Sequence, residues 1–383
     1  SGQDCRVLVT SGEEAGQLVE VAHERLFTGW DRLKNWIEKS GEALRLIDYA
    51  EEAATRWHER GESPDDLWLS PQGIQDTLQA VTRFGKNPSP VLERFLNPAQ
   101  ELITVLERPE VAHQDRFQIG LTILLFGDDP RPGVGVKDGI PDIEWVDIPG
   151  GNVRLEKVDH LITEEGRIRQ KKGDYVFTLK PFKIAKYPVT NAQFQAFIED
   201  GGYEPDQEWW KGLAHRDLSS SIWPEPNAPR ENVSWFEAVA FCRWLSARTG
   251  KSIRLPMEWE WQQAATGGNP ANEYPWGKEW DPARCNGSES CLNRTTPVGL
   301  YPKGATVQGV MDMVGNVWEW CLNWQNQPEH PEAVRQDDLN IQRVLRGKSW
   351  KFLPLWQYPL NRLGATPSEA YSTLGFRLAQ DIR

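Results

Sequence analysis

RVLRGKSWKFLPLWQYPLNRLGATPSEAYSTLGFRLA, running from Arg343 to Ala379, is the stretch on which the fold turns. Its two ends read as framework: RVLRGKSW (Arg343 to Trp350) and LGFRLA (Leu374 to Ala379) alternate apolar residues with glycines and arginines at set places. The middle does not. Phe352, Leu353, Leu355, Trp356, Tyr358, Leu360, Leu363 and Tyr371 follow neither a 3.6-residue nor a two-residue period. Pro354, Pro359, Gly364 and Pro367 break any helix or central strand through it. Such a segment is either an irregular piece of core or a display surface. The second reading has physical support, because aromatics dominate binding hot spots and sizeable exposed apolar patches tend to be sites.

Outward from this stretch, the chain has 383 residues, enough for two or three domains. With 39% hydrophobic and 26% charged residues its composition is that of a soluble globular protein. A net charge of -12 gives a nucleic-acid partner no electrostatic support. No run of about 18 apolar residues would span a membrane. Five cysteines (Cys5, Cys242, Cys285, Cys291 and Cys321) are too few for a disulfide framework, which implies a reducing, cytoplasmic compartment. Nineteen tryptophans, concentrated after Trp209, predict a core built from aromatics around irregular loops.

Residues 1–135 read as a mostly helical module. VEVAHERLFTGWDRLKNWI (Val19 to Ile37) sets Val21, Leu26, Phe27, Trp30, Leu33, Trp36 and Ile37 on one helical stripe. His23 within it reads as a packed histidine. A second helix is predicted from Glu42 to Arg60, ended by Gly61, with others at Ser70 to Thr82, Pro90 to Leu106 and Gln114 to Leu125. GDDPRPGVGVKDGIPD, residues 127–142, reads as a linker and places a domain boundary at 135/136.

Beyond the linker, IEWVDIPGGNVRL and YVFTLKPFKIAKYPVT alternate like strands. Thr190 is placed to cap a short helix that Gly201 ends. Ser234 and Glu237 form a capping-box pair for a second helix, stopped by Gly250, with Ala238, Phe241, Cys242 and Leu245 on its apolar stripe. Glu258 and Glu260, two apart on a helix, face different ways and read as structural. Cys285 and Cys291 lack the second Cys or His pair that zinc needs. No serine or cysteine has a credible base beside it.

YPVTNAQF, NVSWFEAVAFCRWLS, RLPMEWEWQQAA, YPWG, TTPVG, DMVGNVWEW, RVLRGKSW and GFRLA together resemble the formylglycine-generating-enzyme (sulfatase-modifying factor) domain. They stand in family order over residues 143–383. The resemblance implies an α+β chain: a C-type lectin-like domain over 136–383, with a C-terminal variable region at 343–383, after the helical module. Copper-dependent members carry a catalytic cysteine pair between the RGGSW-like and GFR-like motifs. Here that interval, Lys351 to Thr373, holds no cysteine, which argues against the oxidase. Sulfoxide-synthase relatives use an HxxxH-type iron site, a spacing that the six histidines do not show.

The motif spacing, with RGKSW, Pro354, Arg362, Pro367 and GFR in place, is similar to that of diversity-generating-retroelement variable proteins; Lys348 departs from a usual glycine. That likeness implies a non-catalytic protein displaying Lys351, Phe352, Leu353, Leu355, Trp356, Gln357, Tyr358, Leu360, Leu363, Ala365 and Tyr371 to a protein or other macromolecular ligand. Arg346 and Trp350 would anchor the segment, and no catalytic cofactor is implied. The alternative is a formylglycine-type cysteine oxidase. The family also implies structural calcium at the Asp312 and Glu319 side chains with the Gly315 and Val317 carbonyls, and a second site near Asn286, Gly287 and Glu289. Residues 15–100 resemble the C-terminal end of a STAND-type signalling NTPase, including EALRLIDYAEEAATRWHERGESPDDLWL. The phosphate loop G-x-x-x-x-G-K-[ST] is absent, so the likeness implies a sensor arm whose ATPase core preceded residue 1.

Overall fold

The computed structural model describes residues 8–11, 18–21, 31–61, 71–85, 87–163, 166–325, 341–351 and 362–382. Packing divides the chain into two units, 1–98 and 99–383. In the first, β1 (Leu8–Ser11) pairs antiparallel with β2 (Leu18–Val21). The helix expected from Val19 therefore begins only at Asp31: LVEV alternates and is β-branched at two positions, which suits an extended strand. His23 and residues 22–30 lie outside the described residues. The two expected helices fuse into one, α1 (Asp31–Glu59), which passes through Gly41 and ends near Gly61 (φ +83°). Its buried face presents Ile47, Ala50, Ala54 and Trp57 at helical spacing. Ile47 packs against Ala80 and Val81 of α2 (Pro71–Phe84), and Trp57 meets Phe95 of α3 (Pro90–Leu96) with ring centroids 5.7 Å apart.

Ser89 caps α3 by accepting the Leu92 N–H (3.0 Å), with Pro90 at the first helical position. The single helix expected over Pro90 to Leu106 is broken at Asn97–Pro98, because proline lacks the N–H that would continue the ladder. The chain resumes as α4 (Ala99–Val105) and α5 (His113–Ile123). These helices belong to the second unit. Buried Arg116 of α5 donates to the carbonyls of Leu106 (2.7 Å), Arg108 (2.7 Å), Val111 (3.1 Å) and Leu300 (2.8 Å). The 127–142 stretch is likewise folded in: Asp129 and Arg131 form a buried pair (2.6 Å), and β3 (Val136–Lys137) turns back onto β4 (Ile140–Pro141). The division at 98/99 and the boundary expected at 135/136 thus differ by this segment.

Two four-stranded sheets organise the second unit. One has the order β5 (Trp145–Ile148), β8 (Phe182–Ala185), β14 (Ala379–Asp381), β9 (Ile253–Arg254). The other has the order β12 (Leu363–Ala365), β11 (Arg343–Arg346), β10 (Trp318–Trp324), β13 (Leu374–Gly375). A long hairpin, β6 (Gly151–Thr163) with β7 (Gly166–Leu179), stands beside them. Both expected N-caps form, and Thr190, like Ser234, is part of a full capping box. Thr190 and Gln193 close α6 (Asn191–Glu199), with Gly201 at φ +76° beyond its end; Ser234 and Glu237 close α7 (Trp235–Thr249), with Gly250 left-handed at φ +68°. Helix α7 is buried nearly all round, not only along the expected stripe, and Phe241 stacks on Phe194 (5.7 Å) and meets Phe376 edge-on (5.4 Å). Each fully buried ring of this kind stabilises by about 1.5–3 kcal/mol. Cys242 is a small buried hydrophobe in that core. The last helix, α8 (Glu258–Ala265), presents Glu258 and Glu260 inward. Among the described residues no helix is long and apolar enough to cross a membrane.

Candidate functional site

The segment between the two framework motifs leaves the second sheet at β11 and returns at β13. β11 pairs with β12 in the register Arg343↔Ala365, Val344↔Gly364, Leu345↔Leu363. The interval thus contains a short edge strand, where its prolines and glycine argued for loop alone. β13 then runs parallel to β10, Trp318 opposite Leu374.

Three arginines fix these strands from inside. Arg377 is fully buried and donates Nε to Glu319 Oε2 (2.6 Å) and Nη2 to Oε1 (2.7 Å). Its remaining N–H groups reach the carbonyls of Ala185 (3.1 Å), Lys186 (3.2 Å) and Met311 (2.9 Å), tying one sheet to the other. Arg346 donates to Glu258 Oε1 (3.2 Å) and to Gln262 Oε1. Arg362 makes a two-pronged pair with the same carboxylate, Nε to Oε1 and Nη2 to Oε2 at 2.8 Å each. Glu258 therefore joins the strand before the segment to the residue that opens β12. Breaking such a buried pair by removing one partner costs about 3–5 kcal/mol, because a charge is left buried and unpaired. Arg343 adds a cation–π contact, 4.2 Å over Trp235.

The backbone of the returning half is held as firmly. The carbonyls of Pro367, Tyr371 and Thr373 accept N–H bonds from Trp235 (3.1 Å), Asn232 (3.0 Å) and Trp318 (2.7 Å). Trp350 bridges the two ends, with its backbone N–H to Asn316 O (3.0 Å) and its indole N–H to Ser372 O (3.3 Å). Its ring meets Trp223 edge-on at 5.3 Å. Arg346 and Trp350, the expected anchors, are thus bonded to Glu258 and Gln262 and to Asn316 and Ser372.

On this fixed backbone the side chains divide. Lys351 is exposed, Leu363 is 50% exposed and Tyr371 is 53% exposed. Ala365, expected on the same face, is only 5% exposed and packs into the core, because the register of β12 turns it inward opposite Arg343. Phe352, Leu353, Leu355, Trp356, Gln357, Tyr358 and Leu360 lie outside the described residues. Lys348 occupies a left-handed conformation (φ +64°) that glycine adopts without cost, and burial pulls its amine down to about 7.

Several of the oxygens considered for calcium already accept hydrogen bonds. Both Glu319 oxygens serve Arg377, and Oε2 also accepts the Trp261 indole N–H (2.7 Å). Asp312 accepts the Gly299 N–H (2.7 Å), and burial raises its carboxyl to about 6. Gly315 (φ +86°) is needed where it stands: a Cβ there would lie 2.5 Å from Asn286 O. Val317 is fully buried. Asn286 Oδ1 accepts from Ser290 Oγ (2.9 Å), and Gly287 O accepts from the same hydroxyl (2.7 Å). At Glu319 a cation would share its oxygens with the Arg377 guanidinium. Among the described residues no group of three or more His, Cys, Asp or Glu is placed to hold a metal. Of the thiols, Cys242, Cys285 and Cys321 are buried and pushed well up by desolvation, while Cys291 is exposed.

Residues 139–382 match the sulfatase-modifying factor enzyme 1-like domain, and residues 3–65 match Novel STAND NTPase 1. The formylglycine-generating enzyme of Thermomonospora curvata is 33% identical over 299 residues, covering 62% of this chain and 93% of that one. Serine/threonine-protein kinase Pkn1 of Chlamydia trachomatis is 35% identical over 245 residues, covering 58% of this chain; the chain spans only 38% of that relative's length. Among solved structures, Treponema denticola variable protein 1 aligns at 22% identity with a TM-score of 0.45, over 62% of this chain and 94% of that one.

Proposed function

The chain belongs to the sulfatase-modifying factor enzyme 1-like family, and on that premise we propose that it is a non-catalytic member that binds a macromolecular ligand through residues 351–373. One observation carries the reading. The backbone on both sides of the segment is fixed by buried ion pairs and carbonyl hydrogen bonds, while Lys351, Leu363 and Tyr371 turn outward. Rigid scaffolding with outward aromatic and aliphatic side chains gives contact area at low entropic cost. The cysteine-free interval supports the absence of oxidase chemistry, since a thiolate is the reactive group there. Free thiols are in keeping with a reducing, cytoplasmic setting.

Oxygen uptake in the presence of copper and a cysteine-bearing peptide tests the catalytic side: no uptake above the peptide-free blank is expected, and formylglycine formation would overturn the proposal. The neighbouring DNA tests diversification. A near-repeat of the final segment that differs only at adenines, beside a reverse transcriptase gene, is expected; without it a plain binding domain is left. The match of residues 3–65 to a STAND NTPase favours a compatible second reading, in which this surface is the sensor arm of a signalling NTPase. A phosphate loop encoded upstream of residue 1 in the same frame would support it.

A further inference from the structure

A cleft of about 500 Å³ in the second unit has no part in the display surface. Its walls are mostly apolar, among them Leu124, Val136, Ala192 and Ile198. Among its polar lining are Arg230, Asn227 and Asn191, with Asp128 and Asp129, the latter paired with Arg131.

Arg230 is held rigidly. Its N–H donates to Val189 O (2.7 Å), and a Cβ at Gly375 would come within 2.8 Å of its carbonyl oxygen. The side chain is 6% exposed and its guanidinium lies 4.6 Å over the Phe194 ring. Nη2 donates to Ser219 O, but Nε has no partner, and no carboxylate among the described residues pairs with the group. Neither neighbouring acid forms an ion pair with it: Glu231 Oε1 accepts from Ser221, Ile222 and Trp223 while its Oε2 has no partner, and Glu237 accepts from Tyr203 and Ser234. A buried guanidinium without a counter-ion is costly to keep.

The two asparagines supply the opposite chemistry. Asn227 is 1% exposed; its Nδ2 donates to Gly120 O (3.0 Å) and Asp129 Oδ2 (2.9 Å), leaving Oδ1 without a donor. Asn191 Nδ2 donates to Trp223 O (2.8 Å) and Glu225 O (3.0 Å), and its Oδ1 is likewise unpartnered. With the amide nitrogens so engaged, both oxygens remain as acceptors. Unpaired buried polar groups ask for a partner, and these three share one cleft.

We propose that the cleft is a binding site for an apolar α-amino carboxylate, either the free amino acid or the C-terminal residue of a peptide. Its carboxylate pairs with Arg230, its N–H groups meet the Asn227 and Asn191 oxygens, and its apolar side chain lies against Leu124, Val136 and Ile198. The volume is within the range of small-molecule sites. Arginine is the residue suited to carboxylate recognition in a partly dry setting.

Isothermal titration of the full chain with L-leucine, with the peptide Gly-Gly-Leu and with L-leucinamide tests this. Leucine or the peptide binds, the stronger of the two naming the source, and leucinamide binds at least tenfold more weakly. Arg230→Met weakens binding tenfold or more with its thermal midpoint retained, whereas Arg284→Met, outside the cleft lining, leaves binding unchanged. Should Arg230→Met fail to fold, Ala192→Trp fills the cleft and is expected to abolish binding. The proposal is overturned if neither carboxylate binds at millimolar concentration, if leucinamide binds equally, or if binding survives in the folded Arg230→Met or the Ala192→Trp variant.

Discussion

The framework of the final segment and the face it carries follow opposite rules. Around Glu319–Arg377 and Glu258–Arg346–Arg362 charge is buried, each oxygen has a donor, and the partners come from different strands and helices. At Lys351, Leu363 and Tyr371 the side chains turn toward solvent, while the backbone of Tyr371 and of its neighbours is tied down. One region fixes position at the cost of tolerating no change; the other takes its position from the first and leaves its side chains free of structural duty. A fold arranged this way can vary what it recognises without renegotiating how it folds.

The comparison breaks most readily at its strongest point. Arg377→Met leaves the Glu319 carboxylate buried without its cation and is expected to cost about 3–5 kcal/mol in urea unfolding; a loss under about 1 kcal/mol would remove the pair from the framework. Glu258→Gln releases two arginines at once and is expected to cost about 3 kcal/mol. Arg362→Met alone, at a partly exposed partner, should cost about 1 kcal/mol.

Lys348 sharpens the contrast through pH. Burial favours its neutral amine, so its pKa falls from 10.5 in the unfolded chain to about 7 in the folded one. Between those values the unfolded chain holds a proton that the folded one has released, and stability rises with pH across that window. Below about 7 both states are protonated and the burial penalty is fully present. Lys348→Gly, which suits the left-handed backbone, should flatten this slope when unfolding free energies at pH 7 and pH 9.5 are compared. An unchanged slope would assign the pH dependence to other groups. Smallest of all, Tyr371→Ser and Leu363→Ser should shift stability by no more than about 0.5 kcal/mol each.

What the sequence revealed depended on how local the physics was. Thr190 as a cap, and Ser234 with Glu237 and Gly250, were legible because a cap and what it bonds lie within one turn of each other. The ion pairs were not legible, since Arg346 and Arg362 lie 88 and 104 residues from Glu258. Glu258 and Glu260 could be read as structural, but their partners could not be named. Val21 fitted a helical stripe and is a strand residue, because pairing with Leu8–Ser11 overrides the pattern. The hairpin β6–β7 was visible only at its ends; its middle, KVDHLITEEGRIRQKKG, is too charged for alternation to stand out. Arg230 carried no signal within its motif, and only the three-dimensional neighbourhood shows its guanidinium unpaired.

The most direct test of the account exchanges the interval's side chains together. Phe352, Leu353, Leu355, Trp356, Gln357, Tyr358 and Leu360 are replaced jointly by serine and threonine, and the urea unfolding midpoint is compared with that of the unaltered chain. If the segment displays and does not support, unfolding stays cooperative and the free energy changes by no more than about 1 kcal/mol. A loss of about 4 kcal/mol or more, the scale of emptied core positions, would show that these side chains are core after all.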